Sequence, residues 1–329
     1  MGQSADITTR FLAGERAALA RLISWAENGD GRFAAALASI FDRVGSAWRV
    51  GITGPPGAGK STLVNEMARL FRDAERTVGV LAVDPSSPFT GGALLGDRIR
   101  MEERTLDPGV FIRSMASRGS HGGLACASVD ACDVMDAFGF DELLVETVGV
   151  GQAEHDIVSA ADTVLVVLCP GAGDGIQAMK SGLLETADVL VVNKADQHGA
   201  DRLISDLEEA LELRGMAPDA WCPLVVSCSA GKAQGVEAVN AAIAQHRAYL
   251  AGERLERARA AMRAEQVQRV VGERLLAALW NERGYDRETE RLLASAPSPH
   301  AAAEQALARI LAQVDNIADN LEPSTGSQP

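Results

Sequence analysis

The feature that most constrains the fold is a glycine-rich string at residues 54–62, Gly-Pro-Pro-Gly-Ala-Gly-Lys-Ser-Thr. It fits the pattern G-x-x-x-x-G-K-[ST], and it lies between a predicted strand, Val50–Thr53, and a predicted helix, Ser61–Arg72. Glycines let backbone N–H groups approach phosphate oxygens, and a helix N-terminus favours anions. The string therefore predicts a phosphate-binding loop for a nucleoside triphosphate.

Each position of this loop is a candidate contact of the nucleotide. Lys60 is predicted to reach the β- and γ-phosphates, and the Ser61 hydroxyl is predicted to bind Mg²⁺. The other candidate contacts are Gly54, Pro55, Gly57, Ala58, Gly59 and Thr62.

Short apolar runs separated by helical or loop segments predict a mostly parallel central sheet flanked by helices, an α/β fold. The runs are Val50–Thr53, Val78–Val83, Val110–Ile112, Glu142–Glu146, Thr163–Leu168, Val189–Val192 and Leu224–Val226.

Helical periodicity dominates both ends of the chain. Residues 5–47 are predicted to be helical around a turn at Asn28–Gly31, and the second helix there should carry one apolar face, made of Phe33, Leu37, Ile40, Phe41 and Val44. Further helices are predicted at Arg254–Trp280, Thr289–Ala294 and His300–Asn320.

These patterns divide the chain into four parts. Residues 1–47 form an N-terminal helical extension and residues 48–250 form the nucleotide-binding domain. Residues 251–321 form a C-terminal helical arm, and the polar tail at 322–329, with its two prolines, is predicted to be disordered.

A second motif predicts which base is bound. Asn193-Lys194-Ala195-Asp196 directly follows a predicted strand. The Asp196 carboxylate can accept hydrogen bonds from N1–H and the exocyclic amine of guanine, which adenine does not offer together. Asn193 would support the base edge and the Lys194 stem would pack on its face. The loop Ser227-Cys228-Ser229-Ala230 should close over the base, through either its first or its second pair of residues.

Carboxylates at two strand ends are candidate metal ligands. Asp84 and Glu146 each end a predicted strand, where a phosphate-loop enzyme holds Mg²⁺ or its waters, and Asp97 lies in the loop after the first of them. Gly149 would let its N–H approach the γ-phosphate, and Gln152 is a candidate for orienting the attacking water.

Composition excludes several classes of partner. The formal net charge of −14 argues against a nucleic-acid partner, because such proteins present a basic face. No apolar run is long enough to span a bilayer, and no secretory signal is visible. Five cysteines without paired short spacing are typical of reduced thiols. We therefore expect a cytoplasmic protein without a membrane partner.

Several strings together resemble the MeaB/ArgK-type GTPases, the family that includes the methylmalonic aciduria type A protein. The matching segments cover residues 48–230 in order. Besides the two motifs above, they are Val83-Asp-Pro-Ser-Ser-Pro-Phe-Thr-Gly-Gly92, Leu95-Gly-Asp-Arg98, Glu146-Thr-Val-Gly-Val-Gly-Gln152 and Pro170-Gly-Ala-Gly-Asp174.

The resemblance implies a GTPase that uses GTP, GDP and Mg²⁺ and acts as a chaperone of an adenosylcobalamin-dependent acyl-CoA mutase. Such a protein gates cofactor loading, protects the mutase and reactivates it. The resemblance also implies an additional switch loop at residues 170–183, with Asp174, Gln177 and Lys180 as its polar members, and a homodimer formed through the C-terminal helices. Lys60, Glu146, Gln152, Asp174 and Lys180 are the candidate catalytic residues.

Two other functions fit parts of the sequence. A nickel-insertion GTPase would need a cluster of Cys and His ligands, and His121, Cys126 and Cys132 are the only such group close in sequence. A kinase linked to amino-acid transport would prefer ATP, and the guanine motif at residues 193–196 argues against it.

Overall fold

The computed structural model describes residues 2–85, 106–117, 123–147, 160–171, 183–214, 219–277 and 285–319. The chain forms two compact units, Met1–Val267 and Gln268–Pro329. The first contains the sheet and the predicted nucleotide site.

The described part of the chain holds seven strands in one sheet, and every pair of neighbours is parallel. The strands are β1 (Trp48–Thr53), β2 (Val78–Pro85), β3 (Val110–Ser117), β4 (Glu142–Thr147), β5 (Thr163–Leu168), β6 (Val189–Val192) and β7 (Leu224–Ser227). Their order across the sheet is β3-β2-β4-β1-β5-β6-β7. The predicted α/β fold with a parallel central sheet and helical terminal regions is therefore confirmed.

The helices of the described segments come before, between and after these strands. They are α1 (Gly2–Leu12), α2 (Arg16–Glu27), α3 (Phe33–Ala38), α4 (Lys60–Asp73), α5 (Gly123–Phe138), α6 (Leu183–Thr186), α7 (Ala200–Arg214), α8 (Val236–Leu250), α9 (Glu253–Ala277), α10 (Tyr285–Ser295) and α11 (Pro299–Asp319). Short 3₁₀ segments lie at Phe41–Arg43 and Ala230–Lys232.

The sheet is covered on both faces, which explains why its strands are apolar throughout. Alternate residues of each strand point to opposite faces. On one face, Leu144 and Leu165 pack in a core with α4 and α8. On the other, Leu143 packs with α5 and the N-terminal helices, and Val166 packs with α7.

The N-terminal extension differs from the prediction in two places. The helical pattern of its first part is broken at Gly14, whose φ of +81° lies in the left-handed region, so α1 and α2 are separate helices. This reversal lets Phe11 pack against Phe138 of α5 at a ring-centroid distance of 5.2 Å. The predicted apolar face through Val44 is also wrong in part, because α3 ends at Ala38 and Phe41 is exposed.

A buried charge cluster lies beneath the start of β1. Arg49 donates to Asp133 at 2.8 Å and to Asp136 at 3.0 Å, and all three side chains are at most 7% exposed. Asp136 also accepts backbone N–H groups from residues 45, 46 and 47. Opposite charges and backbone donors therefore compensate for the burial of these groups.

The first part of α9 is attached to this cluster. Arg263 donates to both carboxylate oxygens of Asp133, at 2.6 and 2.7 Å, and Gln266 donates to Asp130 at 3.0 Å. One turn earlier, Arg259 forms a two-point contact with Asp162 at 2.8 Å. Two arginines spaced four residues apart thus place the start of α9 against the nucleotide-binding domain.

In the second unit, α10 and α11 pack around buried Leu292, Ala302 and Ala306. Helix α9 carries four exposed apolar residues near its end, Val267, Val271, Leu275 and Leu276. Val267 is the last residue of the first unit, and the other three belong to the second unit. None of the helices in the described segments is long and apolar enough to cross a membrane.

Candidate nucleotide-binding site

Those predicted site residues that the structure describes lie at the carboxyl edge of the sheet, around its central strand β1. Ile52 of β1 lies opposite Glu146 of β4. On the other side of β1, Val192 at the end of β6 lies opposite both Leu168 of β5 and Ser227 of β7. Parallel α/β sheets bind ligands at this edge, where the chain changes the side on which it adds strands.

Two glycines of the phosphate loop, Gly54 and Gly59, are surrounded so closely by other parts of the protein that a Cβ would not fit there. Gly54 has a φ of +132°, and a Cβ there would lie 2.1 Å from the carbonyl oxygen of Val167. Gly59, at a φ of +91°, would bring a Cβ within 2.3 Å of Asn193 Nδ2. A side chain at Gly54 would therefore collide with backbone, one at Gly59 would collide with the Asn193 side chain, and the positive φ disfavours a side chain at both positions.

Lys60 is the first residue of α4, and it is only 5% exposed. Its Nζ donates to the carbonyl oxygens of Gly54, at 2.7 Å, and Pro55, at 3.0 Å. The ammonium group is thus held over the loop it belongs to, while Thr62 lies in the first turn of the same helix.

The structure brings two predicted metal ligands together. The Ser61 hydroxyl donates to Glu146 Oε1 at 2.6 Å, and Glu146 is 5% exposed. This all-oxygen pair at the helix N-terminus fits Mg²⁺, which prefers carboxylate and hydroxyl ligands. Asp84 lies in β2, beside β4 and two positions beyond the residue opposite Glu146. Both strands continue one residue past the predicted carboxylate.

Asn193 joins the two halves of the site. Its side chain is buried, and Nδ2 donates to the carbonyl oxygen of Ala58 in the phosphate loop at 2.8 Å. Its Oδ1 accepts the backbone N–H of Ala230 at 3.0 Å and faces Cys228 Sγ at 3.5 Å. The side chain of Asn193 therefore holds the phosphate loop and the predicted base loop together.

The rest of the Asn193–Asp196 motif forms a polar cluster with the loop after β7. Lys194, at a φ of +55°, donates through Nζ to the carbonyl oxygen of Gly57 at 2.8 Å. Asp196 Oδ1 accepts from Ser229 Oγ at 2.9 Å, and Asp196 Oδ2 forms an ion pair with Lys232 at 2.9 Å. Hydrogen bonds from Lys232 and then from Ser229 lower the pKa of Asp196.

Two alternatives for the base loop were left open by the sequence. Ser227 is the exposed last residue of β7, and burial of Cys228 raises the pKa of its thiol to about 11. Ser229 and Ala230 instead make direct hydrogen bonds to Asp196 and Asn193. Cys228 contacts the motif as well, because its carbonyl oxygen accepts the backbone N–H of Ala195 at 2.9 Å and its sulfur faces Asn193. Ser229 is the member of the loop that hydrogen-bonds the Asp196 carboxylate.

Lys232 was missed by the sequence reasoning. It lies two residues beyond Ala230, at the end of a 3₁₀ segment, and nothing in the motif marks that distance as significant. The sequence signal that could have pointed to it is a lysine shortly after the base loop in the chain.

Several predicted residues fall outside the described parts of the chain. They are Asp97, Gly149, Gln152, Asp174, Gln177 and Lys180, together with the side chain of Asp84. His121 and the Cys126 side chain fall outside as well, and Cys132 is buried in the hydrophobic core. Among the residues that are described, no group of three or more His, Cys, Asp or Glu side chains is arranged to hold a metal ion.

Comparison with known proteins identifies the family. The model of the family described as methylmalonyl-CoA mutase-associated GTPase MeaB matches residues 19–284. The chain belongs to the MeaB family. It is a GTPase that binds GTP and GDP with Mg²⁺.

Relatives of this MeaB-family chain span bacteria, archaea and mammals. It is 35% identical to the GTPase ArgK of Escherichia coli over 291 residues, which is 86% of this chain and 88% of that protein. A GTPase-named protein of Pyrococcus abyssi is 50% identical over 247 residues, covering 74% and 76% of the two chains. The mouse protein named methylmalonic aciduria type A homolog, mitochondrial, is 38% identical over 192 residues, or 57% and 46%.

A solved structure agrees with the fold. The crystal structure titled LAO/AO transport system kinase superposes with a TM-score of 0.72 at 28% identity, covering 94% of this chain and 98% of that one.

Proposed function

We propose that this GTPase is a chaperone of an adenosylcobalamin-dependent acyl-CoA mutase, and that it gates cofactor loading, protection and reactivation of that enzyme. The observation that carries the proposal is the family match over residues 19–284, since that family is described as associated with methylmalonyl-CoA mutase. The relation to the mouse methylmalonic aciduria type A homolog supports it.

Roles in hydrolysis are proposed from the geometry of the site. Lys60 would neutralise charge on the β- and γ-phosphates, since its ammonium group is held over the phosphate loop. Ser61 and Glu146 would hold Mg²⁺, with Asp84 and Asp97 completing its surroundings. Bound Mg²⁺ supplies further neutralisation of phosphate charge. Gln152, Asp174 and Lys180 remain candidates for orienting water and for coupling the site to the mutase.

Base recognition is proposed for Asn193, Lys194 and Asp196 together with Ser229 and Ala230. Asp196 would accept from guanine, Lys194 would pack on the base, and Asn193 would keep the base loop beside the phosphate loop. The hydrogen bond from Ser229 to the Asp196 carboxylate, the group that would read guanine, favours Ser229 and Ala230 over Ser227 and Cys228 as the residues that close over the base.

The proposal also includes a homodimer that forms through the C-terminal helices and acts in the cytoplasm. The exposed apolar residues of α9 support a contact between two copies, because apolar side chains gain stability when they leave water. Free cysteines suit a reducing compartment; those described are Cys132, Cys169, Cys222 and Cys228.

Replacing Asp196 with asparagine should reverse the base preference. The amide offers one donor and one acceptor, which suits xanthine and leaves the guanine amine opposite another donor. We expect the ratio of GTP to xanthosine triphosphate usage, measured as kcat/KM, to fall roughly 100-fold or more. Asp206→Asn on α7, at a partly exposed carboxylate, is the matched control. An unchanged ratio in Asp196→Asn would exclude Asp196 as the reader of the base.

The chaperone function is tested by the GTP hydrolysis rate with and without a cobalamin-dependent acyl-CoA mutase from the same organism. We expect a slow rate for the GTPase alone and a severalfold increase with one such mutase, because a client that docks on the switch loops completes the catalytic geometry. ATP in place of GTP is the nucleotide control, and Lys60→Ala excludes a contaminating hydrolase. A rate that no such mutase changes would contradict the proposal.

A further inference from the structure

We propose that Lys232 is a positioning residue of the guanine site: its ammonium group is the counter-ion of the Asp196 carboxylate and holds that carboxylate in place for the base. The inference rests on the proposed role of Asp196 in reading guanine. It concerns an ion pair between residues from two different loops, at a Nζ–Oδ2 distance of 2.9 Å.

The two oxygens of Asp196 are held from different sides. Oδ1 accepts from the Ser229 hydroxyl at 2.9 Å, and that hydroxyl in turn accepts the backbone N–H of Asp196 at 3.1 Å. Oδ2 faces Lys232. A carboxylate has about four acceptor positions, two on each oxygen. One position on each oxygen therefore stays available for the two donors that guanine presents side by side.

The backbone around Lys232 is fixed by hydrogen bonds and by close packing. Its backbone N–H donates to the carbonyl oxygen of Ser229 at 2.8 Å, closing the 3₁₀ turn. Ser229 forms an isolated bridge with Gln234, and Ala230 is held by Asn193. Gly235 closes the loop so tightly that a Cβ there would lie 2.7 Å from the carbonyl oxygen of Ser227. Because the backbone is constrained on both sides, the lysine stem starts from a defined point.

The other lysine of this region is committed to a different contact. Lys194 Nζ donates to the carbonyl oxygen of Gly57, away from the Asp196 carboxylate. Among the described residues, Lys232 is the cation that is ion-paired with Asp196. The motif Asn193–Asp196 therefore relies on a residue outside itself for charge compensation.

The size of the effect depends on whether the base is bound. The Asp196 side chain is 34% exposed and that of Lys232 is 56% exposed, so water screens the pair and it should contribute little to folding stability. A base seated on Asp196 removes water from the carboxylate, and a charge that loses its water needs a partner. The contribution of Lys232 should therefore appear in nucleotide affinity rather than in stability.

The test is a double-mutant cycle on nucleotide binding, measured by calorimetry with GDP and xanthosine diphosphate. We expect Lys232→Ala to raise the Kd for GDP roughly threefold to tenfold. Lys232→Arg should restore most of the affinity, because it keeps the charge. In steady-state hydrolysis the loss should appear in KM for GTP rather than in kcat. Arg202→Ala, which removes an exposed cation from α7, is the matched control.

The second half of the cycle uses Asp196→Asn. In that background the neutral amide needs no counter-ion, so adding Lys232→Ala should leave the Kd for xanthosine diphosphate unchanged. An equal loss in both backgrounds would overturn the proposal, because Lys232 would then act on the nucleotide independently of Asp196. Unchanged or tighter GDP binding by Lys232→Ala would overturn it as well.

The same measurements distinguish failure of the counter-ion proposal from failure of the assignment of Asp196 as the guanine reader. If Asp196→Asn keeps the guanine preference, Asp196 does not read the base, and the counter-ion proposal is overturned with that assignment. The chaperone function is judged separately, by the response of the hydrolysis rate to the mutase, and it does not depend on the outcome of the cycle.

Discussion

Replacing Lys60 with alanine should lower the kcat/KM for GTP by about 100-fold or more, since one preorganised donor to a developing charge is typically worth that much. Lys60 is only 5% exposed, and its ammonium group is already held over the phosphate loop by hydrogen bonds to two carbonyl oxygens. The wild-type protein therefore does not need to reorganise this charge when the phosphates bind. Phosphate release under single-turnover and steady-state conditions measures the effect.

Loss of folding must be distinguished from loss of catalysis in this variant. Far-UV circular dichroism should stay close to that of the wild type. The thermal unfolding midpoint should fall by only a few degrees, because the substitution removes one hydrogen-bond donor from the buried carbonyl oxygen of Gly54. Arg202→Ala removes a positive charge from the exposed face of α7 and should hydrolyse GTP normally. Wild-type turnover by a folded Lys60→Ala protein would show that the phosphate site lies elsewhere.

Replacing Asp133 with alanine should lower the free energy of unfolding by about 3–5 kcal/mol, the usual effect of removing one partner from a buried ion pair. Asp133 is fully buried and accepts hydrogen bonds from Arg49 and from both terminal nitrogens of Arg263. Its loss leaves Arg49, which is 7% exposed, with Asp136 alone. The start of α9 loses one of its two arginine contacts at the same time.

Urea unfolding followed by tryptophan fluorescence measures this change, because Trp48 lies in β1 directly before Arg49. The control is Asp206→Ala, which removes a partly exposed carboxylate 3.9 Å from its partner and should change stability by no more than about 0.5 kcal/mol. GDP affinity should be retained by folded Asp133→Ala protein. A stability loss as small as that of the control would mean that the buried cluster is not a structural anchor.

The sheet was predictable from the sequence because its strands are buried on both faces. The bounds of β5 and β6 agree with the predicted runs, since each is wholly apolar apart from Thr163. A proline and a glycine, Pro170 and Gly171, follow closely after β5, and polar Asn193 and Lys194 follow β6. Strand β3 extends five residues beyond the predicted Val110–Ile112, to Ser117. Arg113 interrupts the apolar run, yet it is tolerated in the strand because Glu27 of α2 pairs with it at 2.6 Å.

The N-terminal helices were less predictable because their breaks depend on distant packing. Local periodicity is the same on both sides of Gly14, and the reversal between α1 and α2 is needed only because both helices contribute to the core formed with α5. A helix is predicted at Arg254–Trp280, but helical periodicity alone does not say whether Val271 or Leu275 is covered, and both side chains are exposed.

In the candidate site, too, residues in contiguous motifs could be predicted from the sequence, whereas contacts that depend on the path of a loop could not. The phosphate loop and the Asn193–Asp196 motif are contiguous strings, so their residue types could be recognised directly. The contact between Ser61 and Glu146 could be expected from adjacent strand ends, and the structure has it at 2.6 Å. Lys232 could not be found in this way, because its approach to Asp196 depends on the path of a 3₁₀ turn and a loop closed at Gly235.

The buried amide of Asn193 has a consequence for nucleotide exchange. One side chain bonds the phosphate loop through Ala58 and the base loop through Ala230. Groups that share such a network are energetically coupled, so weakening one of the two loops also weakens the other. We therefore expect GDP to leave in a single cooperative opening, in which base and phosphates lose their contacts together. An exchange-promoting partner would need to displace only one loop to release the whole nucleotide.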